Sequence, residues 1–257
     1  MLSVCGEIVR RHDPDRFFCT LFAPQDRRET LFVLYAFDHE LARARVAASN
    51  PMIAQIRLQW WREVVEGADK RHEVATPLRA EIAAGRLDPA ELLAMIDARE
   101  AETQPAIATR AEWHDYLRGT AGGAARVAGR ALGGVAGLDA LGAAWGAAML
   151  LRAVPVHARQ GRCLLPADIL AAHGLTPEAV VAGAEPEGLL RAVADLAGEG
   201  MRLLAAAPRP PRAAHAAALP AVLARRDLQR LSRSLPPRPR GTLDRLAVMR
   251  AAWTGRI

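Results

Sequence analysis

The sequence predicts an all-α fold, and three observations support that prediction. Helix-start punctuation recurs along the chain, apolar residues fall at spacings of three and four, and no stretch shows strand-like alternation. With 257 residues, 51% of them hydrophobic, the chain has ample material for a sizeable core. No internal repeat or low-complexity tail divides it, so a single domain over residues 1–257 is expected.

The elements follow in order. Pro24 precedes an apolar run from Leu31 through Leu41, which reads as a helix, and Pro51 separates it from a second one holding Ile53, Ile56, Trp60 and Val64. Asp88-Pro89-Ala90-Glu91 puts an acceptor at the N-cap, proline at the first helical position and glutamate at the third. This is the pattern of a capping box with its proline. Leu92, Leu93 and Ile96 then share one face. Thr109 to Glu112 repeats the cap-plus-glutamate pattern ahead of Trp113 and Tyr116. Leu132 to Leu151 is, at about 20 residues, long enough to cross a bilayer. It is mostly Gly and Ala and is interrupted by Asp139, so a buried central helix is expected instead. Thr176-Pro177-Glu178 opens a short helix. Pro186 to Ala206 and Ala213 to Leu231 read as two more, joined by Pro208-Arg209-Pro210-Pro211. A last helix follows Pro236 to Pro239, whose Pro/Arg-rich segment reads as a stiff inter-helix loop.

Composition removes several function classes. Cys5, Cys19 and Cys163 are odd in number and far apart, which fits neither a disulfide framework nor a zinc spacing and points to a reducing compartment. The seven histidines are scattered, so a metal centre built on His or Cys is not expected. The net charge is +6, almost all the positive charge being arginine, with Lys70 the one lysine. A basic surface suits anionic membranes, phosphates or nucleic acid, and charge alone does not choose among them. No nucleic-acid motif is present and aromatics are only 5%, so no nucleic-acid partner is expected. Met1 to Asp15 contains no apolar stretch of the kind a signal or transit peptide needs. The glycine-rich stretch Gly119 to Gly134 lacks the preceding strand and the spacing of a dinucleotide loop. Small residues at Gly119, Gly122, Gly123, Gly129 and Gly133 are read instead as points where helix backbones come close. No Ser, Cys or Lys sits in a nucleophile motif, and the pairs Glu63/Glu66 and Asp97/Glu100 read as solvated helix faces.

Two groups of segments are more informative. The first runs Asp15-Arg16-Phe17-Phe18, Leu21-Phe22-Ala23-Pro24, Arg27-Arg28-Glu29 and Leu34-Tyr35-Ala36-Phe37, continuing into Arg57-Leu58-Gln59-Trp60-Trp61-Arg62-Glu63. The second is Tyr116 with Thr120-Ala121-Gly122, then Leu151-Arg152, Ala158-Arg159-Gln160-Gly161-Arg162 and Leu165-Pro166-Ala167-Asp168. In this order and spacing they resemble the squalene/phytoene synthase family over nearly the whole chain. The resemblance implies an isoprenoid-synthase-type helical bundle with a central cavity. Members of that family join two prenyl diphosphates head to head, using two D-x-x-x-D motifs on facing helices to hold Mg²⁺ against the diphosphates. Residues i and i+4 share a helix face, so both carboxylates of a motif can serve one metal cluster.

Aligned by its own flanking motifs, this chain should place the first aspartate pair at Ala42 (or Arg43) and Val46, and the second at Ala153 and His157. None is a carboxylate. Asp38 and Glu40 lie about one turn too early, and Asp139 several turns away. Asp97-Ala98-Arg99-Glu100, the stretch Leu151 to His157, and Leu165 to Ile169 with His173-Gly174-Leu175 resemble the branch of this superfamily that contains the mitochondrial assembly factor for respiratory complex I, where the same aspartates are missing.

The resemblance therefore implies a catalytically degenerate synthase that helps assemble or stabilise complex I. Its partners would be complex I subunits or assembly intermediates, and its cavity could hold an isoprenoid or lipid chain. Arg43, Gln59, Arg152, His157 and Arg159 are the candidates for the cavity's polar mouth. No catalytic residue, metal or cofactor is assigned; Mg²⁺ enters only under the alternative of an active prenyltransferase. A passive isoprenoid carrier is the other alternative. The expected location is the cytoplasm, peripheral at the inner membrane of a bacterium, or the matrix side of a mitochondrion.

Overall fold

Caps and prolines set where the helices begin. In this computed structural model, which describes residues 2–46, 51–104, 106–183, 186–234 and 238–257, the Ser3 hydroxyl accepts from the Gly6 N–H and starts α1 (Val4–His12). Asp13 caps α2 (Pro14–Thr20) by accepting from the Arg16 N–H. The apolar run after Pro24 forms α3 (Arg28–Val46), and Pro51 opens α4 (Pro51–Val65). Next come α5 (Ala75–Ala83), α6 (Pro89–Arg99) and α7 (Arg110–Leu117), the last passing through a π-helical turn, Arg118–Gly122, into α8 (Gly123–Leu132). The second half comprises α9 (Leu138–Arg152), α10 (Val154–Arg159), α11 (Ala167–Ala172), α12 (Pro177–Val181), α13 (Pro186–Ala206), α14 (His215–Ala218), α15 (Pro220–Leu231) and α16 (Thr242–Thr254). No strand occurs among the described residues, in line with the all-α expectation.

Four local expectations are corrected. Leu132 to Leu151 is not one helix: α8 stops at Leu132, and Gly133 and Gly137, both with positive φ, turn the chain before α9 begins. Left-handed backbone at two glycines ends one helix and lets another start within five residues. Gly133 thus serves a turn rather than a close helix contact. Glu91 does not reach back to complete a capping box; its carboxylate accepts from Arg126 and Arg130 of α8 at 3.2 and 2.8 Å. Ala213 to Leu231 is broken at Leu219, where Pro220 starts α15. Of the proline-rich loop, Pro236 and Pro237 lie outside the described residues, and the helix expected after it begins at Thr242.

The core is organised around α9, which packs on α8, α13, α15 and the π-helical turn, while α3 packs on α1, α4, α5 and α8. The small residues of α9 make this approach possible. A Cβ added at Gly142 would lie 2.5 Å from both the Ala121 carbonyl oxygen and the Ala125 Cβ, and one at Gly122 would lie 2.8 Å from the Asp139 carbonyl oxygen. Backbone on the other side cannot swing away as a side chain can.

Gly198 of α13 gives a contrast, since the nearest atom to an added Cβ is the flexible end of Arg202, at 3.8 Å. Gly142→Ala is expected to lower stability by about 1–3 kcal/mol through overpacking. Gly198→Ala should raise it by roughly 0.5–1 kcal/mol, because it removes helical glycine without a clash. Urea unfolding of the two variants checks both signs.

Candidate functional site

Between these helices lies a cavity of about 270 Å³. Its apolar side is made by Trp145, Met149 and Leu150 of α9, with Leu117 and Leu164. Ala42 of α3 lines it, as do Ala153 and His157 at the α9–α10 junction, where Pro155 divides one helix from the next. Three of the positions where the resemblance leads one to expect aspartates therefore face one cavity, and none is acidic. The side chain of Val46, the fourth, lies outside the described residues.

The polar side of the cavity is a closed network of charges. Asp38 is 4% exposed and accepts from Arg16 and Arg99, each at 2.8 Å. Arg99 donates also to Glu102, at 2.7 Å, and Arg162 donates to the other Glu102 oxygen at 2.8 Å. The Tyr116 hydroxyl donates to Glu102 at 2.9 Å, and Asp13 pairs with Arg16. Arg16 also lies over the Tyr35 ring, 4.6 Å from its centre. Three arginines thus balance three carboxylates. Burial pushes the Asp38 carboxyl upward, but Arg99 and Arg16 more than reverse it and leave its pKa lowered to about 2. Glu102 is also lowered: burial works against ionisation, and Arg99 and Arg162 overcome it. Burial, followed by Arg162, pushes the His157 imidazole below its ordinary value, which keeps the ring neutral at neutral pH. Its buried Nδ1 has no hydrogen-bond partner.

The five residues expected at the polar mouth are not brought together. His157 lines the cavity. Arg43 pairs with Glu40 at 2.8 Å and lines a separate groove with Ile56, Arg57, Trp60, Trp61 and His72. Gln59 is exposed on α4 with its amide 3.5 Å from Glu63. Arg152 points toward α15, where it donates to the fully buried Asp227 at 3.1 Å. Arg159 is exposed on α10. Sequence reasoning did not assign the network residues Arg16, Asp38, Arg99, Glu102 and Arg162 to the site. Arg16, Arg99, Tyr116 and Arg162 nevertheless stand inside the segments that carry the family resemblance, and that was the available signal.

A model of the squalene/phytoene synthase family matches residues 9–247. The chain belongs to the squalene/phytoene synthase family. It is 28% identical over 193 residues to the Drosophila melanogaster protein named NADH dehydrogenase (ubiquinone) complex I, assembly factor 6 homolog, covering 69% of this chain and 58% of that one. It is 29% identical over 185 residues to the Homo sapiens protein named NADH dehydrogenase (ubiquinone) complex I, assembly factor 6, covering 68% and 55%. The chain therefore spans less than two thirds of the length of these two relatives. Among solved structures, a dehydrosqualene synthase in complex with ligand superposes with a TM-score of 0.72 at 15% identity, covering 98% of this chain and 94% of that one. A squalene synthase from Alicyclobacillus acidocaldarius gives 0.67 at 21% identity, covering 90% and 92%. The fold is that of the all-α isoprenoid synthases.

Within that fold the residues here do not fit the Mg²⁺ cluster of the synthases. Two of the carboxylates that line the cavity, Asp38 and Glu102, have both oxygens taken by arginines or Tyr116. Among the described residues no three His, Cys, Asp or Glu side chains come together as a metal-holding group. Binding a metal would mean stripping a carboxylate of its arginines and leaving those cations buried and unpaired.

The network is accordingly a structural requirement. Asp38→Asn leaves the buried network with one uncompensated positive charge, shared by Arg16 and Arg99, and is expected to cost about 3–5 kcal/mol, measured by urea unfolding. Because the Asp38 pKa is lowered on folding, its stabilisation is complete above its unfolded value and is lost as the pH falls through about 2. The stability difference between wild type and Asp38→Asn should therefore shrink from roughly pH 4 downward.

Proposed function

We propose that this chain is a non-catalytic member of its family that acts in the assembly or stabilisation of respiratory complex I. The observation that most supports this reading is the cavity itself. Ala42, Ala153 and His157 stand where the resemblance expects metal-binding aspartates, and every carboxylate nearby is neutralised by arginine. A developing diphosphate charge would meet no metal and no uncommitted cation in this network. The relatives named as complex I assembly factors support the choice of process, with complex I subunits or intermediates as partners.

On this reading the old substrate cavity accepts an uncharged chain, an isoprenoid or a lipid. Its volume lies near the lower end of the roughly 300–1,000 Å³ found for small-molecule sites, and Trp145, Met149 and Leu150 supply the apolar wall. His157, which lines the cavity with its imidazole pKa lowered by burial, is the candidate polar group for such a ligand. Arg43, Gln59, Arg152 and Arg159 would act outside the cavity, Arg43 in the neighbouring groove. The place of action is the cytoplasmic face of a bacterial inner membrane, or the matrix side in a mitochondrion. No helix among the described residues is long and apolar enough to cross a membrane.

The test is genetic and biochemical. Membranes from a strain deleted for this gene should show less assembled complex I on a native gel and lower NADH-to-quinone activity, both restored by the wild-type gene. Unchanged complex I in the deleted strain would overturn the assembly role.

A further inference from the structure

The positive charge of this chain is concentrated at one end. Residues 207–257 contain eleven arginines and two acidic residues, Asp227 and Asp244. That surplus exceeds the +6 of the whole chain, so the preceding residues are on balance acidic. Both aspartates are buried, at 0% and 2% exposure. Asp227 is held by Arg152 and Arg240, and Asp244 by Arg226 and Arg230. The surface of this segment therefore presents no acidic side chain, while eight of its arginines are exposed.

The same segment shows the most exposed large apolar side chain among the described residues. Trp253 is 92% exposed, and on the same helix Leu243, Leu246 and Met249 are 70%, 51% and 48% exposed. Their spacing of three and four places them along one side of α16, while Asp244, Val248 and Ala251 are buried on the other. Arg245 and Arg250 lie on the same helix and are exposed.

Beside this helix runs a groove of about 430 Å³ lined by Arg226, Gln229, Arg230, Arg233, Ser234 and Arg238. The Asp244 carboxylate of α16 accepts from Arg226 at 2.7 Å and from Arg230 at 2.8 Å, which joins the groove to the helix. That one carboxylate offsets part of the charge of four arginines, while Arg233 and Arg238 face solvent. A row of arginines flanking an apolar stripe that ends in tryptophan matches the layering of a bilayer interface. Phosphates lie at the level of the guanidinium groups, and the apolar side chains enter the acyl boundary. Nucleic acid would meet the arginines but leave the aliphatic stripe in water.

We infer that the exposed face of α16 and the adjoining arginine groove form a docking surface for an anionic lipid bilayer. This deepens the membrane location of the proposed function by naming the surface and the lipid charge, and vesicle binding tests it separately from the assembly role. The chain binds the membrane at its surface, with the cavity network untouched.

The experiment is sedimentation of the full chain with vesicles at low salt. One set is phosphatidylcholine containing phosphatidylglycerol, the other phosphatidylcholine alone. The chain should pellet with the anionic vesicles, bind neutral ones at least about tenfold more weakly, and detach as salt is raised. Leu246→Ser/Trp253→Ser and Arg233→Glu/Arg238→Glu should each weaken anionic binding by about tenfold or more. These side chains are exposed, so the unfolding temperature should stay unchanged; a vesicle-binding loss accompanied by unfolding is separated from the proposed effect by that measurement. Brominated acyl chains should quench tryptophan fluorescence in the wild type and do so much less in Trp253→Phe. Three results overturn the proposal: equal binding to both vesicle types, no binding to anionic vesicles at low salt, or anionic binding that both double variants leave unchanged. An acidic protein as the true occupant would give the second result.

Discussion

The buried chain of ion pairs running Asp13–Arg16–Asp38–Arg99–Glu102–Arg162 is the constraint around which the rest of this molecule is arranged. It joins α2, α3, α6 and the segment ahead of α11 through contacts of 2.7 to 2.8 Å, and Tyr116 ties α7 to it. Buried charges are tolerated only when paired and hydrogen-bonded, so no member can be removed or redirected singly. The same requirement fixes the chemistry of the cavity. A metal or a diphosphate brought into it would compete for partners that the fold already uses.

The all-α fold was legible in the sequence because helix signals are local. Thr109, Thr176 and Asp88 cap the helices they were expected to start, and the prolines at 51, 89, 177 and 186 stand at helix beginnings. The breaks were harder to see. Leu132 to Leu151 is mostly small and apolar, and the left-handed backbone at Gly133 and Gly137 divides it. A glycine inside such a run reads equally well as a packing contact or as a turn, and tertiary packing decides which. Glu91 shows the same limit: a glutamate at the third helical position fits a capping box, yet Arg126 and Arg130 offer it two cations from another helix.

The site was legible in part. Counting from flanking motifs picked out Ala42, Ala153 and His157 as the expected aspartate positions, and all three line one cavity. The charged network could not be found by spacing alone, because its members lie far apart along the chain; Asp38 and Arg99 are 61 residues apart and Glu102 and Arg162 are 60 apart. Arg152 shows what spacing does not reveal. It stands in a family-like segment beside an expected aspartate position, and its side chain runs to Asp227 of α15, a partner no local pattern reveals.

A family fold preserved around a charge-balanced cavity accounts for both sides of this protein's resemblance. The helical fold is that of the all-α isoprenoid synthases, while the carboxylates that line its cavity are paired with arginines. The most direct measurement of that claim is pyrophosphate release from farnesyl and geranylgeranyl diphosphate with and without Mg²⁺. The account predicts no Mg²⁺-dependent release with either substrate. Sustained, Mg²⁺-dependent release that is abolished by chelating the metal would contradict it and return the chain to the active synthases.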